Sequence, residues 1–348
     1  MAEHDGRRNM RDGDIIVIAA EKVAKALAGR ERELIETVRM AYIAHGAGAS
    51  SLPHSVFLRF PDESRNRIIA LPAYLGQEFG VAGIKWVSSF PGNLDQGLDR
   101  ASAVVILNSP TTGRPEAIIE GSLISGMRTA ASAALAAQTL CGERPYSTLG
   151  VIGSGYINFQ TVRFTLAACP EIERILIHDL DTARANLFRE KCLSEFKGVD
   201  AGVAVSSDDI LRNCTLISLA TTAVKPHLSD LSACRPGTTI LHVSLRDLTP
   251  EAILAGDNVV DDVDHVCREQ TSIHLAEQLS GNRDFIRCTL AEILSGRAVA
   301  RRDADSIAIF SPFGLGVLDL AVARLVRDLE LERGDRSVVK EFLPASWV

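Results

Sequence analysis

The stretch from Val151 to Phe159 constrains this chain most. Thr148 to Ile152 is apolar and β-branched, as a buried strand should be, and Gly153 and Gly155 permit a tight turn into a helix opened by Tyr156, Ile157 and Asn158. A second apolar strand follows and ends at Asp179, 24 residues beyond Gly155. This succession presents helix N–H groups to a pyrophosphate and a carboxylate to a ribose. A negative Asp179 repels a 2′-phosphate, so NAD is expected over NADP. The third glycine position holds Asn158, whose side chain must fit between helix and strand. On the glycines alone, a strand, turn and helix without ligand is the competing interpretation.

After Gly142 to Pro145, strand and helix patterns alternate. Strands are expected at 148–152, 174–178, 201–205, 214–219, 238–243 and 258–262, and helices at 156–168, 182–195, 207–212 and 249–255, with two more helices through about Leu294. That alternation predicts an α/β fold, a Rossmann-type domain with a parallel sheet and helices on both faces. Before it, Glu31 to His45 has helical spacing. Ser55 to Phe60, Arg67 to Leu71, Ala82 to Ser88 and Ala103 to Asn108 read as strands, with a turn at 61–66, and so define an α+β unit. An alanine-rich helix from Arg128 to Leu140 suits a link between two domains. The apolar positions of Gly316 to Leu331 fit a terminal helix that returns to the first unit. The expected organisation is 1–143 for substrate binding and dimerisation, 144–315 for NAD, and 316–348 for the returning helix.

Composition excludes some classes of function. A net charge of −7 leaves no basic footprint for nucleic acid. The polar start from Met1 to Met10 lacks a signal-like apolar core, and no stretch is long and apolar enough to span a bilayer, so a cytoplasmic protein is expected. Seven scattered cysteines form no Cys-x-x-Cys pair and are expected as reduced thiols. Asp261, Asp262, Asp264, His265, Cys267 and His274 cluster in sequence, but their spacing matches no common zinc site, and no metal is expected.

Several residues could carry chemistry. Lys85 interrupts an apolar strand, where an ammonium is costly unless paired. It either holds a substrate carboxylate or positions water for catalysis, or else reaches solvent from an edge strand. Arg128 could clamp a carboxylate or the cofactor's phosphates, or form an interdomain salt bridge. Asp247 lies just past a strand's carboxyl end, where it could exchange protons with an amine, although Asp247 or Thr249 could equally cap the helix that begins at Pro250. His54 and Arg59 are further candidates for substrate contact, although both also suit an exposed surface. Ser218, Thr221 and Ser244 follow or end apolar strands of the cofactor domain, and Gly314 lies in a turn before the terminal helix, so all four are candidates for lining the cofactor.

Together these segments resemble the ornithine cyclodeaminase/μ-crystallin family from about Arg39 to Leu329. The resemblance is carried by Ile84 to Val87 with Pro91 to Asn93, Pro110 to Pro115, Gly126 to Ala131, the glycine turn, and Gly314 to Ala321 with Asp319. It implies that Lys85 and Arg128 hold a substrate carboxylate, that Asp247 is the catalytic aspartate, and that the protein is a homodimer. Within the family the chain looks most like the 2,3-diaminopropionate-forming branch, the N-[(2S)-2-amino-2-carboxyethyl]-L-glutamate dehydrogenases. The residues behind this narrower likeness are Ser51 to Pro61, Ile157 to Phe159, Ser244 to Leu248 and Asp261 to Gln270. Where the cyclodeaminase pattern has an arginine this chain has Ser55, and Arg59 is the candidate replacement.

The branch implies NAD-dependent oxidative hydrolysis of a secondary amine to L-2,3-diaminopropionate, 2-oxoglutarate and NADH, in siderophore or peptide-antibiotic biosynthesis. It also implies an upstream pyridoxal-phosphate synthase as pathway partner. The alternatives are an ornithine or lysine cyclodeaminase, an imine reductase running in the opposite direction, and a noncatalytic cofactor-binding protein of the μ-crystallin kind.

Overall fold

The computed structural model describes residues 13–142, 145–334 and 337–344. The polar start from Met1 to Met10 and the boundary expected at 143/144 lie outside the described residues. In chain order the first elements are β1 (Ile15–Ile18), α1 (Ala20–Leu27), α2 (Glu31–Gly46), β2 (Ser50–Ser51), β3 (Val56–Phe60), β4 (Glu63–Leu75), β5 (Val81–Ser89), β6 (Ala101–Asn108), β7 (Pro115–Glu120) and α3 (Ser122–Thr139). They are followed by β8 (Thr148–Ile152), α4 (Tyr156–Ala168), β9 (Arg174–His178), α5 (Thr182–Glu195), β10 (Asp200–Val203), α6 (Ser207–Asn213), β11 (Leu216–Leu219), β12 (Thr239–His242) and α7 (Pro250–Ala255). The chain ends with β13 (Asp257–Val260), α8 (Val263–Val266), α9 (Ser272–Ser280), β14 (Ile286–Thr289), α10 (Leu290–Leu294), β15 (Ala308–Ser311), α11 (Gly316–Arg333) and β16 (Val338–Val339).

The chain divides into two compact units. One comprises the described residues of Met1–Arg30, Ala44–Arg128 and Leu315–Val348, and the other comprises Glu31–Ile43 and Thr129–Gly314. One division therefore falls inside α3, between Arg128 and Thr129.

The first unit is built on a mixed sheet in the order β16-β1-β7-β6-β5-β4-β2, with β3 also paired to β4. Its neighbours run antiparallel except β1 and β7, which are parallel. β5 is an interior strand, so Lys85 sits across from Leu71 of β4 and Val105 of β6, both buried. α11 packs over β4, β5 and β6. Its first residue is glycine for a steric reason, because a Cβ on Gly316 would lie 3.2 Å from the Leu71 carbonyl oxygen. The turn expected over 61–66 is shorter, since β4 already begins at Glu63. α3 begins at Ser122 instead of Arg128, because the Glu120 carboxylate accepts from the Ser122 and Leu123 N–H groups at 2.5 and 3.1 Å.

The second unit holds an eight-stranded parallel sheet in the order β10-β9-β8-β11-β12-β15-β13-β14. β11, β12, β13 and β15 are buried along their whole length. Because the strands run in one direction, their carboxyl ends share an edge, and in open α/β sheets that edge bears the ligand crevice. All seven cysteines are thiols. Burial pushes Cys169, Cys192, Cys214 and Cys267 up to about 12.

The acidic and histidine-rich stretch after β13 is used for structure. Asp261 accepts the N–H groups of Phe313 and Gly314 at 2.9 and 2.7 Å, Asp262 caps α8 through the His265 N–H, and Asp264 pairs with Arg283. Among the described residues, no group of three or more His, Cys, Asp or Glu side chains is disposed to hold a metal.

Candidate functional site

The second unit carries the dinucleotide residues. At the end of β8, Gly153 adopts φ +93°, and a Cβ there would lie 2.6 Å from the Ala220 carbonyl oxygen, so only glycine fits this turn. Gly155 is the N-cap of α4 and has no side chain to cap the helix, and a Cβ built on it would meet nothing within 4 Å. The first N–H groups of α4 therefore have no side-chain cap, and the space beside Gly155 is open, as a pyrophosphate site requires. Tyr156 is exposed beside this turn and Ile157 is half-buried.

Asn158 supplies what a third glycine would not. Its Nδ2 donates to the carbonyls of Ile152 and Gly153 at 2.9 and 2.6 Å, and its Oδ1 accepts from Ser218 Oγ at 2.6 Å. Both side chains are fully buried, so they brace the turn from behind. Asp179, at the end of β9, accepts from Ser154 N at 2.7 Å, Ser154 Oγ at 2.5 Å and Asp181 N at 3.0 Å. Partial burial works against its charge, but these hydrogen bonds outweigh it and hold the carboxyl below the usual range. An ionised acceptor beside an uncapped glycine turn fits an NAD ribose and pyrophosphate.

Asp247 lies in the same unit beyond β12, and its side chain is fully buried. It accepts from the hydroxyls of Thr221 and Ser244, and His242 Nε2 lies 3.5 Å from its Oδ2. Burial raises its pKa, but the imidazole of His242, when its Nε2 carries a proton, and the two hydroxyls outweigh burial and keep it below the usual carboxylate range. Its carbonyl accepts from the N–H groups of His227 and Leu228 at 2.8 and 2.9 Å. The N-cap of α7 is Thr249, whose side chain accepts from Ala252 N, so Asp247 does not cap that helix. Gly314 sits at φ +92° with its N–H held by Asp261.

The first unit carries a buried ionic cluster. Lys85 is 3 % exposed on an interior strand, which overturns the edge-strand alternative. Its Nζ donates to Asp319 Oδ2 at 2.7 Å and to Ser125 Oγ at 3.2 Å, while Arg128 Nε donates to Asp319 Oδ1 at 2.9 Å. Arg128 thus forms its salt bridge inside one unit. Burial brings Lys85 down to about 8 against the pull of Asp319. Burial also disfavours charge on Asp319, but Arg128 and Lys85 overcome it and hold the carboxyl below its ordinary range. With two cations and one anion the cluster carries one net positive charge and retains N–H groups to offer a carboxylate.

His54 and Arg59 are exposed, and the Arg59 guanidinium lies 5.3 Å from the centre of the Phe57 ring. The structure thus places Lys85 and Arg128 in one cluster and His54 and Arg59 on the surface of the same unit. Two residues that the sequence reading left without a stated role belong to these networks. Asp319 had a signal, an acid on the apolar face of the terminal helix. His242 lies in a wholly buried four-residue strand and had none.

A parallel sheet, an uncapped glycine turn and an acid at the next strand's end define a Rossmann-class dinucleotide-binding protein, and the dinucleotide is NAD. The chain belongs to the ornithine cyclodeaminase/mu-crystallin family, whose model matches residues 16–334. It is 26% identical over 319 residues to N-((2S)-2-amino-2-carboxyethyl)-L-glutamate dehydrogenase of Staphylococcus aureus, covering 90% of this chain and 94% of that protein. It is similar to Thermococcus litoralis Delta(1)-pyrroline-2-carboxylate reductase in complex with NADH and L-proline, with a TM-score of 0.86, 26% identity and coverage of 93% and 99% of the two chains. It also resembles an archaeal alanine dehydrogenase dimer with bound NAD, with a TM-score of 0.84, 27% identity and coverage of 94% and 99%.

Proposed function

We propose that this protein is the dehydrogenase that oxidatively hydrolyses N-[(2S)-2-amino-2-carboxyethyl]-L-glutamate to L-2,3-diaminopropionate and 2-oxoglutarate. Its coarser identity is an NAD-dependent oxidoreductase acting on an amino-acid-like substrate. The observation that carries the finer reading is the Lys85–Asp319–Arg128 cluster, a sheltered cationic site suited to one of the three carboxylates of this substrate. Supporting it are the likeness to the Staphylococcus aureus enzyme and the hydroxyl-clasped Asp247 in the unit that holds the NAD turn.

In this reading Lys85 and Arg128 hold a substrate carboxylate, and His54 and Arg59 contact the outer carboxylates. NAD, held by Gly153 to Asn158, Asp179, Ser218, Thr221, Ser244 and Gly314, supplies a hydride acceptor for the glutamate α-carbon. Asp247 removes the amine proton and later activates the water that adds to the imine carbon. The carbon–nitrogen bond then breaks as the amine is protonated. The archaeal alanine dehydrogenase that the chain resembles is a dimer, and a homodimer is the state we expect for this chain.

The test is to mix enzyme, NAD+ and the synthetic amine and to follow NADH absorbance together with 2-oxoglutarate. Equimolar NADH and 2-oxoglutarate are expected. Ammonia and a cyclic amino acid from ornithine or lysine, with no net NADH, would instead identify a cyclodeaminase.

A further inference from the structure

We infer that His242 is a second proton acceptor behind Asp247, taking the first proton of the reaction so that the aspartate is free when water arrives. This rests on the oxidative-hydrolysis reading above. The need arises from proton counting. The secondary ammonium must lose one proton before hydride can leave its carbon, and the water that adds to the resulting iminium must lose another. One proton is returned to the amine nitrogen as the carbon–nitrogen bond breaks, the last hydroxyl proton leaves as the ketone forms, and the freed primary amine takes up one more to become an ammonium, so one proton is released overall. A single carboxylate still holding the first proton cannot accept the second.

The geometry supplies the second acceptor. His242 and Asp247 are both fully buried. The main-chain N–H of Asp247 donates to His242 Nε2 at 3.2 Å, so Nε2 is unprotonated and Nδ1 carries the hydrogen, directed to Ser311 Oγ at 3.3 Å. The same Nε2 lies 3.5 Å from Asp247 Oδ2. On receiving a proton, Nε2 exchanges its contact with the main-chain N–H for one with the carboxylate. The surroundings favour this exchange. The flanking strands β11 and β15 contribute no charged residue, and the Asp247 carboxylate lies within reach of the imidazole. The aspartate is also kept from turning away, because Ser244 and Thr221 hold its oxygens while His227 and Leu228 hold its carbonyl.

His242→Gln separates holding a proton from holding a shape. A glutamine oxygen can accept the Asp247 N–H but cannot store a proton. In the NAD+-loaded protein with the synthetic amine, the variant should release about one NADH per active site in a rapid phase, followed by steady turnover at least tenfold slower than wild type. Unchanged turnover, or a rapid phase and steady rate that fall together, overturns the proposal. Histidine-selective 15N spectra of the NAD+-loaded wild-type protein give a readout that needs no substrate. The Nε2 resonance of His242 should move in Asp247→Asn, which removes the carboxylate 3.5 Å away. A resonance indifferent to Asp247 also overturns the relay. If wild type forms no NADH from this amine, the functional reading fails, and the 15N comparison with Asp247→Asn still decides whether His242 is coupled to Asp247.

Discussion

Lys85 on β5 and Asp319 on α11 meet at 2.7 Å with both side chains removed from solvent, although 234 residues separate them in the chain. Arg128 completes the cluster at 2.9 Å, so one carboxylate neutralises part of the charge of two buried cations. The arrangement sets the charge offered to a substrate and the proton affinity of the lysine.

The first prediction concerns pH. Lys85 sits at about 8 in the folded protein, compared with 10.5 for a free side chain. As pH rises through about 8 the ammonium is lost, and KM for the amine should increase toward tenfold per pH unit, measured as a KM–pH profile. The sign for stability is opposite. Between about 8 and 10.5 the unfolded chain holds this proton more tightly, so the lysine's contribution to stability rises with pH.

Asp319→Asn should be harmful in two separable ways. Two cations left without their anion in a buried site should cost about 3–5 kcal/mol in urea denaturation. The lysine, now without its attraction, should lose its proton more readily, so the KM rise should begin below pH 8. A variant as stable as wild type would refute the role of Asp319 as counterion.

Asp247→Asn should still bind NAD+, since the glycine turn and Asp179 are untouched. Turnover should fall by about 10²- to 10⁴-fold, the span usual for loss of a positioned acid or base. Calorimetric titration with NAD+ and steady-state rates together check this, and normal turnover would remove Asp247 from the mechanism.

Asp179→Ser removes the anion that opposes a 2′-phosphate. The ratio of kcat/KM for NAD+ over NADP+ should drop at least about tenfold, equivalent to 1.4 kcal/mol. An unchanged ratio would place cofactor discrimination elsewhere.

Asn158→Ala leaves the buried Ser218 hydroxyl without its acceptor and two carbonyls of the turn without a donor. A loss of about 1–3 kcal/mol is expected, with weaker NAD+ binding. Adding Ser218→Ala should recover part of the loss, and purely additive losses would contradict the coupling.

Much of this was legible in the sequence because it is local. The run from Thr148 to Ile152, the glycines and Asp179 lie within one strand–turn–helix–strand unit, and their chemistry appears in the order in which they are read. Lys85 was conspicuous because an ammonium interrupts an apolar strand. Its partner was not, since nothing near residue 85 points to residue 319. β14 was missed because it lies in the stretch read as two helices through about Leu294, and β15 because only Ile307 to Phe310 are apolar before the turn at Ser311. The strand of His242 was read, but nothing local to it shows that its imidazole meets the Asp247 carboxylate beyond the strand's end.

The α11 contribution also sets a schedule for synthesis. The cationic strand of the first unit leaves the ribosome long before the helix that neutralises it. At about 5–20 residues per second, the 234 residues between Lys85 and Asp319 take roughly 12–47 seconds to make. All strands of the second unit have been translated by then. The part of the protein made first is therefore finished last, and a nascent chain stalled before residue 319 would carry Lys85 and Arg128 without their anion.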